Sequence, residues 1–215
     1  MRIRKSIIIV LLSFMLLIST KKIYSNEGAV TIKLPKGISI RIPRDWVIAS
    51  GSDRIILKNH VDSFIDFQNK DASKFTIDFF AAYLDSNEAV VAKAIVNYYP
   101  ETKFTQSDVQ AFNEHQVAVW DEGKKKNIEK GIKSVGGEIK SWLGTRKIVI
   151  KGITMLITEY TYFNNLSNQI NTVRIVSVLN GNNSFSLIVS YRDNESKIMR
   201  PVCDNIIDSL KVTVL

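Results

Sequence analysis

Two imidazoles, one thiol and a scatter of carboxylates are the side chains in this chain that could carry chemistry. His115 stands between Glu114 and Gln116 with no second His four residues on, so the pattern that puts two imidazoles on one helix face is missing. His60 lies in a polar stretch whose spacing announces no acidic ligand set. A serine nucleophile would need an elbow of the GxSxG kind, and Gly51-Ser52 and Lys140-Ser141 read as ordinary loop material. Cys203 and His115 could form a thiol–imidazole pair, but no neighbour in sequence would activate the thiol. Gly136-Gly137 lacks the Lys-Ser/Thr that follows a phosphate-cradling loop. No cofactor and no metal is expected. The 21 Asp and Glu are spread so evenly that a general acid–base pair would leave no mark in the spacing.

Two features suit contact better than catalysis. Lys124, Lys125 and Lys126, followed by Lys130 and Lys133, form a basic stretch after Trp120 that could meet anionic headgroups or an acidic partner. The plainer reading is a solvated helix end complementing the helix dipole. Trp142 follows the double glycine. It is either an exposed aromatic at an interface or the first core residue of the next strand.

The elements that must position these residues follow from periodicity and punctuation. Residues 30–34 and 37–42 read as short strands, Pro43 and Asp45 turn the chain, residues 54–57 continue the strand-rich opening, and 75–84 form an inner strand. Residues 59–73 are polar, as in a loop or lid. Asp85 or Ser86 can cap a helix through Glu88, Val91, Ala94 and Ile95 that Pro100 stops. Ser107 with Gln110 suggests a second helix with Val109, Phe112, Gln116, Val119 and Trp120 on one face, ended by Gly136-Gly137. Residues 146–150 and 153–163 flank Lys151-Gly152, and 170–179 and 184–191 flank residues 180–183, which predicts two antiparallel hairpins. Residues 195–210 form an amphipathic helix that Pro201 either kinks or restarts, and 212–215 a closing strand.

The N-terminus gives an address. Arg2, Arg4 and Lys5 precede a 12-residue apolar run, too short for the roughly 20 residues that span a bilayer. This pattern predicts a signal peptide over residues 1–25, cut between Ser25 and Asn26, with export to the periplasm or medium. Removing Arg2, Arg4, Lys5, Lys21 and Lys22 lowers the formal +8 to near +3, too weak a balance to suggest nucleic acid. With Cys203 as the only cysteine, no intramolecular disulfide can form. Met199, Cys203, Ile206 and Leu210 recur at helical spacing, which places Cys203 on or beside an apolar face.

The run Gly37-Ile38-Ser39-Ile40-Arg41-Ile42-Pro43-Arg44-Asp45-Trp46, the antiparallel meander and the ending Ile206-Ile207-Asp208-Ser209-Leu210-Lys211-Val212 together resemble the PsbP-like family. That family includes the photosystem extrinsic protein PsbP, the Ran-binding Mog proteins and bacterial DcrB-type exported proteins. The resemblance implies an α+β fold, an α/β/α sandwich whose central, mainly antiparallel sheet carries helices on both faces. It also implies a non-catalytic binding or assembly module. Strands apolar on both sides independently require cover on both sides. The expected organisation is one domain over residues 26–215, whose partner is a protein of the cell envelope, with weak contact to an anionic membrane surface. Two other readings stay open: a periplasmic immunity or inhibitor-type protein, and a hydrolase with carboxylates under residues 59–73.

Overall fold

A computed structural model describes residues 28–49, 77–99 and 102–213. The signal, its Ser25–Asn26 cut, residues 54–57, His60 and the polar stretch 59–73 lie outside them.

Period-two alternation builds the smaller layer. In β1 (Ala29–Leu34) and β2 (Ile38–Pro43) the register pairs Ile32 with Ile40, and Ile38, Ile40 and Ile42 are fully buried while Ser39 and Arg41 are half-buried. After residue 210 the short β10 (Lys211–Val212) pairs with the other edge of β2, completing a three-stranded antiparallel sheet.

The larger sheet comprises β3 (Val47–Ile48), β4 (Ile77–Leu84), β5 (Val90–Tyr98), β6 (Glu138–Ile150), β7 (Ile153–Asn164), β8 (Gln169–Val178) and β9 (Phe185–Arg192). All pairings are antiparallel, in the order β3-β4-β5-β9-β8-β7-β6. From β5 the chain crosses one face as α1 (Gln106–Ala111) and α2 (Glu114–Ser134), re-enters at the far edge as β6, and meanders back until β9, the central strand, lies beside β5. Beyond β9, α3 (Ser196–Ser209) covers the opposite face.

Both faces are therefore buried. Val176, Leu187 and Val189 share a core with Ile40 of β2 and with Met199, Val202, Cys203 and Ile206 of α3. On the other side Tyr160, Val173, Ile175 and Ile188 pack with Ile128 and Ile132 of α2. The architecture is the α/β/α sandwich with a mainly antiparallel sheet that the sequence predicts. Burial of each such aliphatic side chain contributes about 1.5–3 kcal/mol.

The meander forms where turn chemistry demands it. Lys151 (φ 51°) and Gly152 (φ 82°) make the two-residue loop between Ile150 and Ile153, with both residues left-handed as hairpin twist requires. From that turn the Lys151 ammonium donates to the Asp208 and Leu210 carbonyls at 2.7 and 3.2 Å, tying the hairpin to the end of α3. Pro201 lies inside a continuous α3. Gly137 lets the chain turn off α2, since a Cβ there would stand 2.8 Å from the Phe163 carbonyl oxygen and 2.9 Å from an Ile132 methyl.

Two local expectations are corrected. The helix predicted from Asp85 to Tyr98 is instead a hairpin turn and strand β5. The Asp85 carboxylate accepts from the backbone of Asn87 and Ala89, at 2.9 and 3.0 Å, and from Arg192 at 2.9 Å, so it closes a turn rather than opening a helix. These bonds, with Ala89 and Asn87 leading, hold its carboxyl below the ordinary value. The β-branched Val90, Val91, Ile95 and Val96 then favour a strand between β4 and β9. The second correction concerns capping. Thr105 with Asp108 caps α1, the helix ends at Phe112, and Asn113 with Gln116 starts α2 through a second capping box.

Candidate functional site

The face carrying α2 is assembled from four short anchors. The Gly181 amide in the β8–β9 turn donates to the Phe104 carbonyl at 2.8 Å. The Thr102 hydroxyl lies 2.7 Å from that of Ser184. The Gln106 side chain exchanges hydrogen bonds with Thr154 and also donates to the Leu179 carbonyl, at 2.7–3.2 Å, which seats α1 on the sheet. The break at Phe112 then swings α2 so that Phe104, Phe112 and Trp120 meet edge to face. Ring centroids are 5.4 Å apart for Phe104–Phe112 and 6.0 Å for Phe104–Trp120, with interplanar angles of 89° and 75°.

These rings wall a hollow of about 550 Å³ that His115, Gln116, Val119 and Lys124 complete. Volumes of this size are ordinary for small-molecule pockets, roughly 300–1,000 Å³. Lys124 is half-buried, and its ammonium sits 5.5 Å from the Trp120 centroid and 5.7 Å from that of Tyr99. The run of lysines therefore divides: Lys124 belongs to the hollow, whereas Lys125 and Lys126 are exposed, Lys125 lying 4.0 Å from Glu129 one turn on.

Strand register brings a second group together on the same face. Asn97 on β5 pairs with Ser186 on β9, which pairs with Ser177 on β8. Both serines are fully buried, and Asn97 is nearly so. The Tyr99 hydroxyl lies near the two serines. Burial would raise its pKa, but the Lys124 charge and the Ser186 and Ser177 hydroxyls pull it lower on balance. Asn97 Oδ1 and Trp120 Nε1 have no hydrogen-bond partner among the described residues, and the Tyr99, Ser177 and Ser186 hydroxyls have only one another and Lys124. Orphans such as the first two are unusual, because buried polar atoms are nearly always paired.

Trp142 is half-buried on β6. Its indole donates to both Asp121 oxygens at 3.1 and 3.0 Å and stacks on Tyr160, with centroids 5.5 Å apart and planes 19° apart. Asp121 lies three residues before Lys124 on α2, and no recorded contact joins Trp142 to the three lysines. Elsewhere on this face, near the β4–β5 hairpin, a hollow of about 450 Å³ includes Lys93, Tyr162, Asn171 and Ser190.

The α3 face also buries charge, in a different manner. Glu159 on β7, opposite Arg174 on β8, receives the Arg174 Nε at 3.5 Å, Arg200 at 3.2 Å and Arg146 at 3.9 Å. Arg174 also pairs with Asp204 on α3. Cys203 is fully buried beside this cluster, and burial pushes its thiol up to about 12, with the Arg174 charge opposing. A thiol so placed is protonated at neutral pH. His115 is exposed near the start of α2, and among the described residues no three His, Cys, Asp or Glu side chains converge as metal ligands.

No model of a known protein family matches the chain, and no curated protein does. Solved structures do. The cyanobacterial PsbP of a Synechocystis species, from the family the sequence resembles, is 12% identical with a TM-score of 0.48, over 88% of this chain and 95% of that one. LpqN, described as involved in cell envelope biogenesis of Mycobacterium tuberculosis, is 13% identical with a TM-score of 0.46, over 86% and 91%. A protein of Bacteroides thetaiotaomicron is 10% identical with a TM-score of 0.45 over 87% of this chain, which spans about half (49%) of that one.

Proposed function

We propose that this chain is an exported, non-enzymatic binding or assembly module, one domain over residues 26–215, that engages a protein of the cell envelope. The observation that supports the reading is the outer surface of α2. This 21-residue helix buries only Ile128, Gly131 and Ile132, and it leaves Val119, Lys125, Lys126, Lys130 and Lys133 exposed. From residue 124 to residue 133 it carries five lysines against Glu129 alone, a basic segment with the chemistry to meet an acidic protein surface and, more weakly, anionic headgroups. Lys125 and Lys126 lie near its centre, Lys124 is half-buried at the edge of the adjoining hollow, and Trp142 lies at the flank, bonded to Asp121.

The test is a photo-crosslinking residue placed at Lys126 in producing cells, with the exposed Lys197 of α3 as control. The expected result is one envelope protein joined at Lys126 and not at Lys197, on a chain whose mature N-terminus is Asn26. Equal labelling at both positions, or a chain that still begins with Met1 in the membrane, would overturn the reading.

A further inference from the structure

The geometry points to the hollow between α1 and α2 as a binding site for a small amphipathic organic carboxylate. Its apolar body lies among Phe104, Phe112 and Trp120, and its carboxylate meets Lys124. Three observations lead there. Phe104 meets Phe112 and Trp120 edge to face, and the three rings line a hollow of about 550 Å³, a wall suited to an aromatic or acyl body. Such rings alone would also suit a cation. Lys124 decides the sign of the ligand, because its ammonium already stands over Trp120 and Tyr99 and would repel a second positive charge. Among the described residues no carboxylate reaches ion-pair distance of Lys124, so an anion can complete that pairing.

The third observation is the buried polar group next to that cation. The Trp120 indole N–H, on a ring that lines the hollow beside Lys124, is a buried donor without an acceptor among the described residues. A buried donor left unmade costs about 1–3 kcal/mol, so a ligand that brings acceptor oxygens recovers free energy that an apolar ligand cannot. The inference is independent of the envelope partner, since purified protein and a small ligand suffice to test it.

The experiment titrates purified protein with 1-naphthoate, decanoate and the neutral 1-naphthalenemethanol, and follows the indole N–H resonances of the three tryptophans by NMR. At least one acid should bind saturably and shift the Trp120 resonance while those of Trp46 and Trp142 hold still. Naphthoate and decanoate separate an aromatic body from an acyl one. The neutral alcohol should bind roughly tenfold more weakly or worse, which corresponds to about 1.4 kcal/mol. Lys124→Met, at a half-exposed site that leaves the core intact, should erase the difference between acid and alcohol. Phe104→Ala should weaken both. Three results would overturn the proposal: neither acid shifts Trp120 at millimolar concentration, the alcohol binds as tightly as the acids, or Lys124→Met leaves acid binding unchanged. If Lys124→Met proves unfolded by circular dichroism, the acid–alcohol comparison on the natural chain decides by itself.

Discussion

The two faces of the seven-stranded sheet bury polarity of different kinds, ion pairs under α3 and mainly neutral hydroxyls and an amide around Tyr99 under α2. Under α3 the buried Glu159 meets Arg174, Arg200 and Arg146, with Asp204 balancing Arg174, and the surrounding core is closed by Met199, Val202, Cys203, Ile206 and Ile207. Under α2, Asn97, Ser177, Ser186 and the Tyr99 hydroxyl are buried with only one another and Lys124 as polar neighbours among the described residues, and α2 contributes few apolar side chains to the core. The difference separates a helix tied to the sheet by charge from one seated over neutral polar groups. Paired charge fixes the packing of a helix, whereas an unpaired polar atom beside a cavity, as at Trp120 Nε1, is a cost that a ligand can offset.

The largest effect should come from the paired face. Glu159→Ala leaves Arg174, only 9% exposed at its side chain, with one carboxylate partner where it had two, and removes the shared acceptor of Arg200 and Arg146. Breaking a buried ion pair from one side costs about 3–5 kcal/mol, so urea denaturation should show a loss in that range. A loss under about 1 kcal/mol would mean that water reaches the cluster and would remove the contrast between the faces.

Apolar burial gives the next comparison. Ile206→Ala in α3, at a site 1% exposed, should cost about 2–5 kcal/mol. Val119→Ala in α2, at a site 57% exposed, should change stability by no more than about 0.5 kcal/mol. Similar losses at both sites would show that α2 is seated as tightly as α3.

A pH scan sharpens the difference further. Burial pushes the Lys93 ammonium, on the α2 side of β5, down to about 8 from 10.5. Between those values the unfolded chain binds more protons than the folded one, so stability rises as pH climbs through this window. The gain is complete above 10.5 and lost as pH falls through about 8. Thermal melts from pH 7 to 10.5 should show this rise, and Lys93→Met should flatten it. A slope unchanged in that variant would assign the effect to other groups.

The paired face was partly legible in the sequence and the neutral polar face was not, for a physical reason. Lys151-Gly152, residues 180–183 and the spacing of Met199, Cys203, Ile206 and Leu210 are local signals, and local signals fix hairpins and amphipathic helices. Glu159 inside an apolar run, with Arg174 inside the next, was a visible hint of a cross-strand ion pair that went unread. Asp85 misled because a carboxylate that accepts two backbone amides serves a turn as well as a helix cap. The polar row of Asn97, Ser186 and Ser177 exists only through register between strands up to 89 positions apart. Periodicity puts Phe112 and Trp120 on one face of a single helix, whereas the break before Asn113 divides them between two segments that meet at Phe104. Lys124 and Trp142, singled out by sequence as one surface, occupy separate environments because Lys124 sits on α2 over Trp120 while Trp142 sits on β6, stacked on Tyr160.

The smallest expected effect is the most discriminating. Ser186 is fully buried at the centre of the polar row, in register with both Asn97 and Ser177. If its hydroxyl is a structural hydrogen-bonding group, Ser186→Ala should destabilise the protein by about 0.5–1.5 kcal/mol, as loss of a typical buried hydrogen bond does. The geometry predicts the opposite sign. A hydroxyl whose polar neighbours are Tyr99 and Ser177 already carries its desolvation cost, and its removal lets those two pair with each other, so Ser186→Ala should leave stability unchanged or raise it slightly. A matched substitution on the other face supplies the control: Thr172→Val removes a hydroxyl that donates to Asp193 at 2.8 Å and should destabilise. If Ser186→Ala and Thr172→Val fall together on the destabilising side, the polar row is part of the scaffold. If they part in sign, one sheet carries a paired face that holds the fold and a face whose neutral polar row does not.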